Sequence, residues 1–285
     1  MDRKPVFCVM GAGHGGLAMA GHLGLMGFEV RLFNRTEERL RAVQVEGGVH
    51  VAGEVSGFGH VAVATCHAGE ALEGADVIMI VTPATAHRDL AKAAAPHLRS
   101  GQVVVLNPGR TFGAVEFHQT LRRAGCEADV MIAETQTFLY ASRVTGPGQA
   151  HVFRIKNYIP LATLRAHRIP ECLARIRPAF PQFIPGDNVF KTSFNNIGTV
   201  FHPTLMLLNA GWVEDPADFE FYYQGTTPSV ASVLEAIDAE RVAVAAALGL
   251  QAMTAREWLY FAYDAAGKSL SEAIHANPGY RGILA

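Results

Sequence analysis

The chain has 285 residues, 49% of them apolar and 18% charged, with a formal net charge of −2; that length suits about two domains of roughly 100–200 residues each. With no basic tract and no acidic tail, the charge pattern gives no support to a nucleic-acid or membrane-surface partner. The apolar run at 6–10 is too short for a signal sequence, no stretch approaches the roughly 20 apolar residues of a membrane span, and the four scattered cysteines form no CxxC pair, so a cytoplasmic protein without a metal site is expected.

In chain order, 6–10 reads as a short buried strand in which Cys8 acts as a small hydrophobe. It runs into Gly11-Ala12-Gly13-His14-Gly15-Gly16 and then a helix over 15–26 that stops at Gly27. A second strand over 29–34 leads to Thr36, which suits the cap of a helix over 37–46. Residues 50–65 look like hairpin or loop. The wholly apolar 77–81 is a strand, 85–98 a helix and 102–107 a strand stopped by Pro108-Gly109. A helix follows to about 124, with a strand over 130–133. Apolar strands without alternation, separated by helices, imply a doubly wound parallel sheet covered on both faces.

After 152–161 and a stretch containing Pro178, Pro181 and Pro185, the pattern turns helical. Residues 196–209 form one candidate helix. Thr227-Pro228 offers an N-cap and an N1 proline to a long helix ending near Gly249. Its apolar face is read as Val230, Val233, Leu234, Ile237, Arg241 and Val244. Residues 257–266 are expected to be helical too. The boundary falls within 179–191, which gives an α/β domain over 1–184 and an all-helical substrate or catalytic domain over 185–285.

The glycines at 11, 13 and 16 form GxGxxG between a strand and a helix, the context that marks a Rossmann dinucleotide site. Gly11 permits the turn, Gly13 lets a pyrophosphate approach the backbone and Gly16 allows close helix packing; the helix N-terminus, with His14 and Gly15, receives the phosphates. The end of the second strand chooses the nucleotide. An Asp or Glu there would accept from both ribose hydroxyls of NAD. Here stand Asn34-Arg35-Thr36. A neutral amide removes the repulsion against a 2′-phosphate, and a guanidinium pairs with it bidentately. NADP(H) is therefore favoured over NAD(H).

In the helical half, Asn195, His202 and Asn209 are seven residues apart, about two helical turns, and so would share one face. Pro203 removes a backbone hydrogen bond beside His202. A buried, satisfied histidine and an acid–base histidine both fit this pattern; the second needs a carboxylate to orient the ring.

The runs FNNIGTVFHPTLMLLNAGWVE and FEFYYQGTTPSV, with the long helix carrying IDAER, resemble the C-terminal domain of the octopine/nopaline (opine) dehydrogenases. GAGHGG, TPATAH, LNPGRTFGAVEF and AETQTFLYASR agree with the same family, so the resemblance spans nearly the whole chain. It implies condensation of an amino acid with a 2-oxo acid, often pyruvate, and hydride transfer from NAD(P)H to the imine. It further implies His202 as general acid–base, Arg143 as a substrate carboxylate anchor, Asn195 and Asn209 as groups orienting His202 or substrate, and Pro83, Asn107 and Glu134 among the cofactor contacts. A homodimer is compatible with the helical half. In the family the histidine pairs with an aspartate in an RY-x2-ED-x-P-like segment after a stretch resembling GYRGILA. That stretch is 279–285 here, so the expected aspartate is not among these residues. Two alternatives remain open: a reductase of the ketopantoate or 6-phosphogluconate type, with Lys191 followed by Asn195 as its acid, and a catalytically silent NADPH-binding protein.

Overall fold

The computed structural model describes residues 3–285. It separates into two compact units, one ending at Thr192 and the other running Ser193–Ala285. The first begins with β1 (Phe7–Met10), α1 (His14–Leu25), β2 (Val30–Phe33), α2 (Arg41–Glu46), β3 (Gly48–Gly53), β4 (Gly57–His60), β5 (Val63–Thr65) and α3 (Ala68–Leu72). It continues with β6 (Val77–Ile80), α4 (His87–Ala94), β7 (Val103–Leu106), α5 (Gly113–Arg123) and β8 (Met131–Thr135). Then come β9 (Tyr140–Gly146), β10 (Gln149–Ile155), β11 (Ile159–Thr163), α6 (Ile169–Ile176) and β12 (Phe183–Pro185), and α7 (Val189–Phe194) runs across the division at Thr192.

An eight-stranded sheet runs β12-β11-β8-β7-β6-β1-β2-β5. Every residue of β1, β6 and β7 is buried, which is why these strands read as continuous apolar runs. β1 pairs in parallel with β2 on one side and β6 on the other. The chain thus reverses direction across the sheet at β1, the switch point beside which open α/β sheets bind ligands. The pairing departs from all-parallel at one place, where β11 runs antiparallel to β8. Burial pushes the Cys8 thiol up to about 12, against the pull of Arg31, so it stays a neutral core group.

Of the hairpin-or-loop alternatives for 50–65, the hairpin is the one found, while other sequence expectations are corrected. β3 and β4 form an antiparallel hairpin that β10 and β9 extend into a second sheet, in the order β4-β3-β10-β9. The parallel partner of β3 lies in β10, about a hundred residues on, so no local pattern announces it. β4 lies against α1 so closely that a Cβ on Gly59 would stand 1.9 Å from the Gly21 carbonyl oxygen. The helix expected over 37–46 opens as a separate 3₁₀ turn, Glu37–Arg39, before α2, and the Thr36 side chain caps nothing. Its hydroxyl oxygen instead accepts from Asn34 Nδ2 at 3.0 Å.

The second unit contains α8 (Gly198–Leu208), α9 (Ala210–Val213), α10 (Pro228–Ala247), α11 (Ala255–Tyr263) and α12 (Leu270–Ala276). Its own core includes Phe201, Leu205, Leu234, Trp258, Leu259 and Ile274. Thr227 caps α10 as expected, accepting from Val230 N, with Pro228 in the first turn. The inward face of α10 shares Val230 and Leu234 with the stripe read in sequence but is rotated from it. Val230, Ala231, Leu234, Asp238 and Ala245 are buried, whereas Val233 and Val244 are exposed. The stripe turns inward at Asp238 because that carboxylate has partners: Oδ1 accepts from Arg241 and Oδ2 from Ala255 N at 2.7 Å. Among the described residues no helix is long and apolar enough to cross a membrane.

Candidate active site

The glycine loop follows β1 directly. Gly11 has φ +123°, and a Cβ there would lie 2.4 Å from the Val81 carbonyl oxygen. A Cβ on Gly16 would lie 1.7 Å from the Gly11 carbonyl oxygen, so the first turn of α1 rests on the loop backbone. Gly13 differs: its Cβ position is open, with Arg39 Nη1 at 3.6 Å as its nearest neighbour. Gly11 and Gly16 thus serve the fold, and Gly13 leaves space over the N-terminus of a twelve-residue helix whose first turn has no side-chain cap. That space and those donors suit a phosphate.

At the end of β2, Asn34 ties the turn to the loop. Its Oδ1 accepts from Ala12 N at 3.1 Å, and its Nδ2 donates to the Thr36 carbonyl at 2.9 Å. Arg35 is exposed beside this tie. Arg39, which the sequence reading missed, lies one helical turn further on and faces the loop; a second arginine four residues after Arg35 was the available signal. His14 receives Val144 N on Nδ1 at 2.8 Å, and its carbonyl receives Ser142 Oγ at 3.2 Å. Partial burial, then Arg143, then Arg39 hold the His14 imidazole below the usual histidine range. The expected carboxylate anchor Arg143 therefore stands on β9 next to the glycine loop.

Three neighbouring strands end in buried polar groups along one sheet edge. After β6 comes Thr82, after β7 Asn107, after β8 Gln136. Thr82 Oγ1, Asn107 Nδ2 and both amide atoms of Gln136 have no hydrogen-bond partner among the described residues, and the same is true of Nε2 of buried His87. Leaving such a group unpaired costs about 1–3 kcal/mol, so a row of them at the ligand-binding edge fits a ligand that satisfies them. Pro83 is exposed at this edge. Glu134 is fully buried; its carboxylate accepts from Ala114 N at 2.9 Å and from Thr192 Oγ1 at 2.7 Å, which ties β8 to α5 and α7. Buried Lys156 donates to Thr137 Oγ1 at 2.9 Å and to the Phe138 carbonyl at 2.6 Å. Burial, with Arg110 adding to it, pulls its ammonium down to about 7.

In the second unit the expected polar stripe is rearranged. α8 begins at Gly198, so Asn195 precedes it and is buried, its Oδ1 accepting from Met253 N at 2.9 Å. Asn209 caps the other end, its Nδ2 donating to the Leu205 carbonyl at 2.9 Å and the Gly225 carbonyl at 3.1 Å. His202 alone presents its side chain from the middle of α8. Its Nε2 lies 2.8 Å from the hydroxyl of Tyr222, a partner that sequence reasoning, looking for a carboxylate, did not find. Lys191, the rival acid, is ion-paired with Asp187 one turn earlier. Among the described residues no group of three or more His, Cys, Asp or Glu side chains could hold a metal.

Residues 6–109 match the family model of the NAD-dependent glycerol-3-phosphate dehydrogenase N-terminus, and residues 185–285 that of the NAD/NADP octopine/nopaline dehydrogenase alpha-helical domain. An opine dehydrogenase from Arthrobacter sp. (strain 1C) is 37% identical over 284 residues, which cover 99% of this chain and 79% of that protein. A solved octopine dehydrogenase in complex with NADH and agmatine superimposes with a TM-score of 0.79 at 22% identity, over 99% of this chain and 76% of that one. A yersinopine dehydrogenase with NADP+ bound does so with a TM-score of 0.73 at 17% identity, over 92% and 68%. These structural likenesses establish the fold, a Rossmann-like unit followed by a helical one.

Proposed function

The chain belongs to the octopine/nopaline (opine) dehydrogenase family, and on that premise we propose that it is an NADP(H)-dependent opine-type dehydrogenase. It condenses an amino acid with a 2-oxo acid such as pyruvate and reduces the resulting imine to a secondary-amine dicarboxylate. The observation that carries this reading is the 37% identity to an opine dehydrogenase along 99% of the chain.

The residues present fit a dinucleotide. The loop of Gly11, Gly13, His14, Gly15 and Gly16 would cradle its pyrophosphate over the space that Gly13 leaves open, with Gly11 and Gly16 shaping the loop. Asn34, Arg35 and Thr36 would take the 2′-phosphate, with Arg35 as the bidentate partner. Pro83 and Asn107 stand at the sheet edge where the reacting end belongs, and Glu134 holds that edge together from inside. The dinucleotide, when bound, supplies the hydride.

The remaining steps belong to this chain. Residues 185–285 form the substrate and catalytic part, and 1–184 the cofactor part. His202 exchanges a proton with the condensing carbonyl and the imine, a task suited to an imidazole whose ordinary pKa is about 6.5. Asn195 and Asn209 hold the two ends of its helix. Arg143 anchors a substrate carboxylate. Lys191 is spoken for by Asp187, which argues against the ketopantoate-type reading.

NADPH oxidation measured against a matrix of 2-oxo acids and amino acids, each omitted in turn, tests the proposal. Oxidation should require both partners. Turnover with an oxo acid alone would replace this reading with that of a simple keto-acid reductase. Tight NADPH binding without turnover for any pair would leave a silent nucleotide-binding protein.

A further inference from the structure

Tyr222 lies between α9 and α10, buried against its neighbours, with its hydroxyl 2.8 Å from His202 Nε2. Its ring packs edge-on against Phe221 at 5.0 Å and stacks face to face on Tyr280 at 4.0 Å and 12°. Tyr280 is itself buried, in the turn that follows α12, and Asn277 Oδ1 fixes that turn by accepting from Gly279 N at 3.0 Å. The hydroxyl facing the histidine is thus mounted on two rings and a capped turn, with little freedom to swing away.

We propose that Tyr222 is a positioning residue for His202: its hydroxyl holds the imidazole in one orientation, and the Tyr280 ring holds the hydroxyl. The proposal rests on the acid–base role of His202 argued above. A phenol near neutral pH is uncharged and can both donate and accept. It can accept from a protonated Nε2 and donate to a bare one, so it keeps its grip on the ring in either protonation state. The hydroxyl can therefore orient the ring through a cycle of proton uptake and release.

The test is Tyr222→Phe, which removes one oxygen and keeps the stack on Tyr280. The ring-nitrogen resonances of His202 are followed against pH in histidine-labelled protein without substrate, and steady-state kinetics are run beside them. The tautomer balance or titration midpoint of His202 should change. Turnover should fall roughly tenfold, the equivalent of one ordinary hydrogen bond, while substrate KM and NADPH affinity stay within about twofold, because the loss falls on the reacting state and not on binding. In a His202→Ala background the substitution should add nothing further, as expected of two residues acting through one contact. A His202 titration and tautomer balance identical to those of the unaltered protein would overturn the assignment. Should the unaltered protein turn over no substrate pair, the resonance measurement still decides this point separately from the dehydrogenase reading. Should Tyr222→Phe fold poorly, through-space contacts between the His202 and Tyr222 ring protons in the unaltered protein decide it: their presence supports the assignment and their absence ends it.

Discussion

At the scale of single residues, the two glycines at 13 and 16 separate binding from folding. Gly13→Val places a side chain in the open space beside Arg39, so the unit should fold and lose its dinucleotide affinity, as titration of NADPH fluorescence would show. Gly16→Val drives a side chain into the Gly11 carbonyl, 1.7 Å from the Cβ position, and should cost at least about 2 kcal/mol of stability, visible as an early unfolding transition. Arg35 separates the two nucleotides. Arg35→Ala removes a charge-assisted contact worth about 1.5–3 kcal/mol, so NADPH should weaken roughly 10- to 100-fold with little change for NADH. Equal losses for both would take the 2′-phosphate away from Arg35. His202→Ala should lower turnover about 10²–10⁴-fold with NADPH binding intact, and Lys191→Ala should do far less.

At the scale of elements, α10 shows how a helix can be correct in extent while its inward face is rotated from the one read in sequence. Its cap and proline place the start, and glycine follows its end, but the inward stripe is set by partners that lie elsewhere. Asp238 and Arg241 are both largely buried and pair at 2.7 Å. Arg241 also donates to the carbonyls of Phe194 and Met253, and Asp238 receives the N-terminus of α11. This hub joins α10 to the segments before α8 and before α11. Asp238→Ala leaves a guanidinium buried without its carboxylate and should cost about 3–5 kcal/mol. Val244→Ser, on the face expected to be buried and found exposed, should stay within about 0.5 kcal/mol. Chemical denaturation of the two variants, read by Trp258 emission, checks both. The capping box of α11, Thr254 with Glu257, lies wholly within four residues of sequence; it marks the start of α11 at Ala255, two residues ahead of the helix expected from 257.

At the scale of the molecule, each unit carries its own core, so one unfolding free energy does not describe the chain. Lys156 makes the stability of the first unit depend on pH. The unfolded lysine keeps its proton up to about pH 10.4, whereas the folded one releases it at about 7. Between those values the unfolded chain binds more protons, so the penalty of burying the ammonium is full below pH 7 and fades as pH rises toward 10. Stability of this unit should climb across that window by up to about 1.4 kcal/mol per pH unit. Lys156→Met should flatten the climb, as denaturation at a series of pH values would show; an unchanged slope would mean that Lys156 is not the group responsible.

The sequence alone determined whatever depends on neighbours along the chain. The glycine loop between strand and helix, the apolar strands of a doubly covered sheet and the Thr227-Pro228 start of α10 are all local signals with local physical causes. Family likeness carried His202 beyond that reach. Tertiary structure decided what depends on distant partners. β3 found its parallel partner in β10, Arg39 came to face Gly13, Asn195 was drawn to Met253, and the His202 ring met the Tyr222 hydroxyl. Asp238, a charge in the middle of a helix, could be recognised as a core residue only once the backbone N–H of Ala255 and the guanidinium of Arg241 stood beside it, because a buried charge is tolerable only where its partners are already in place.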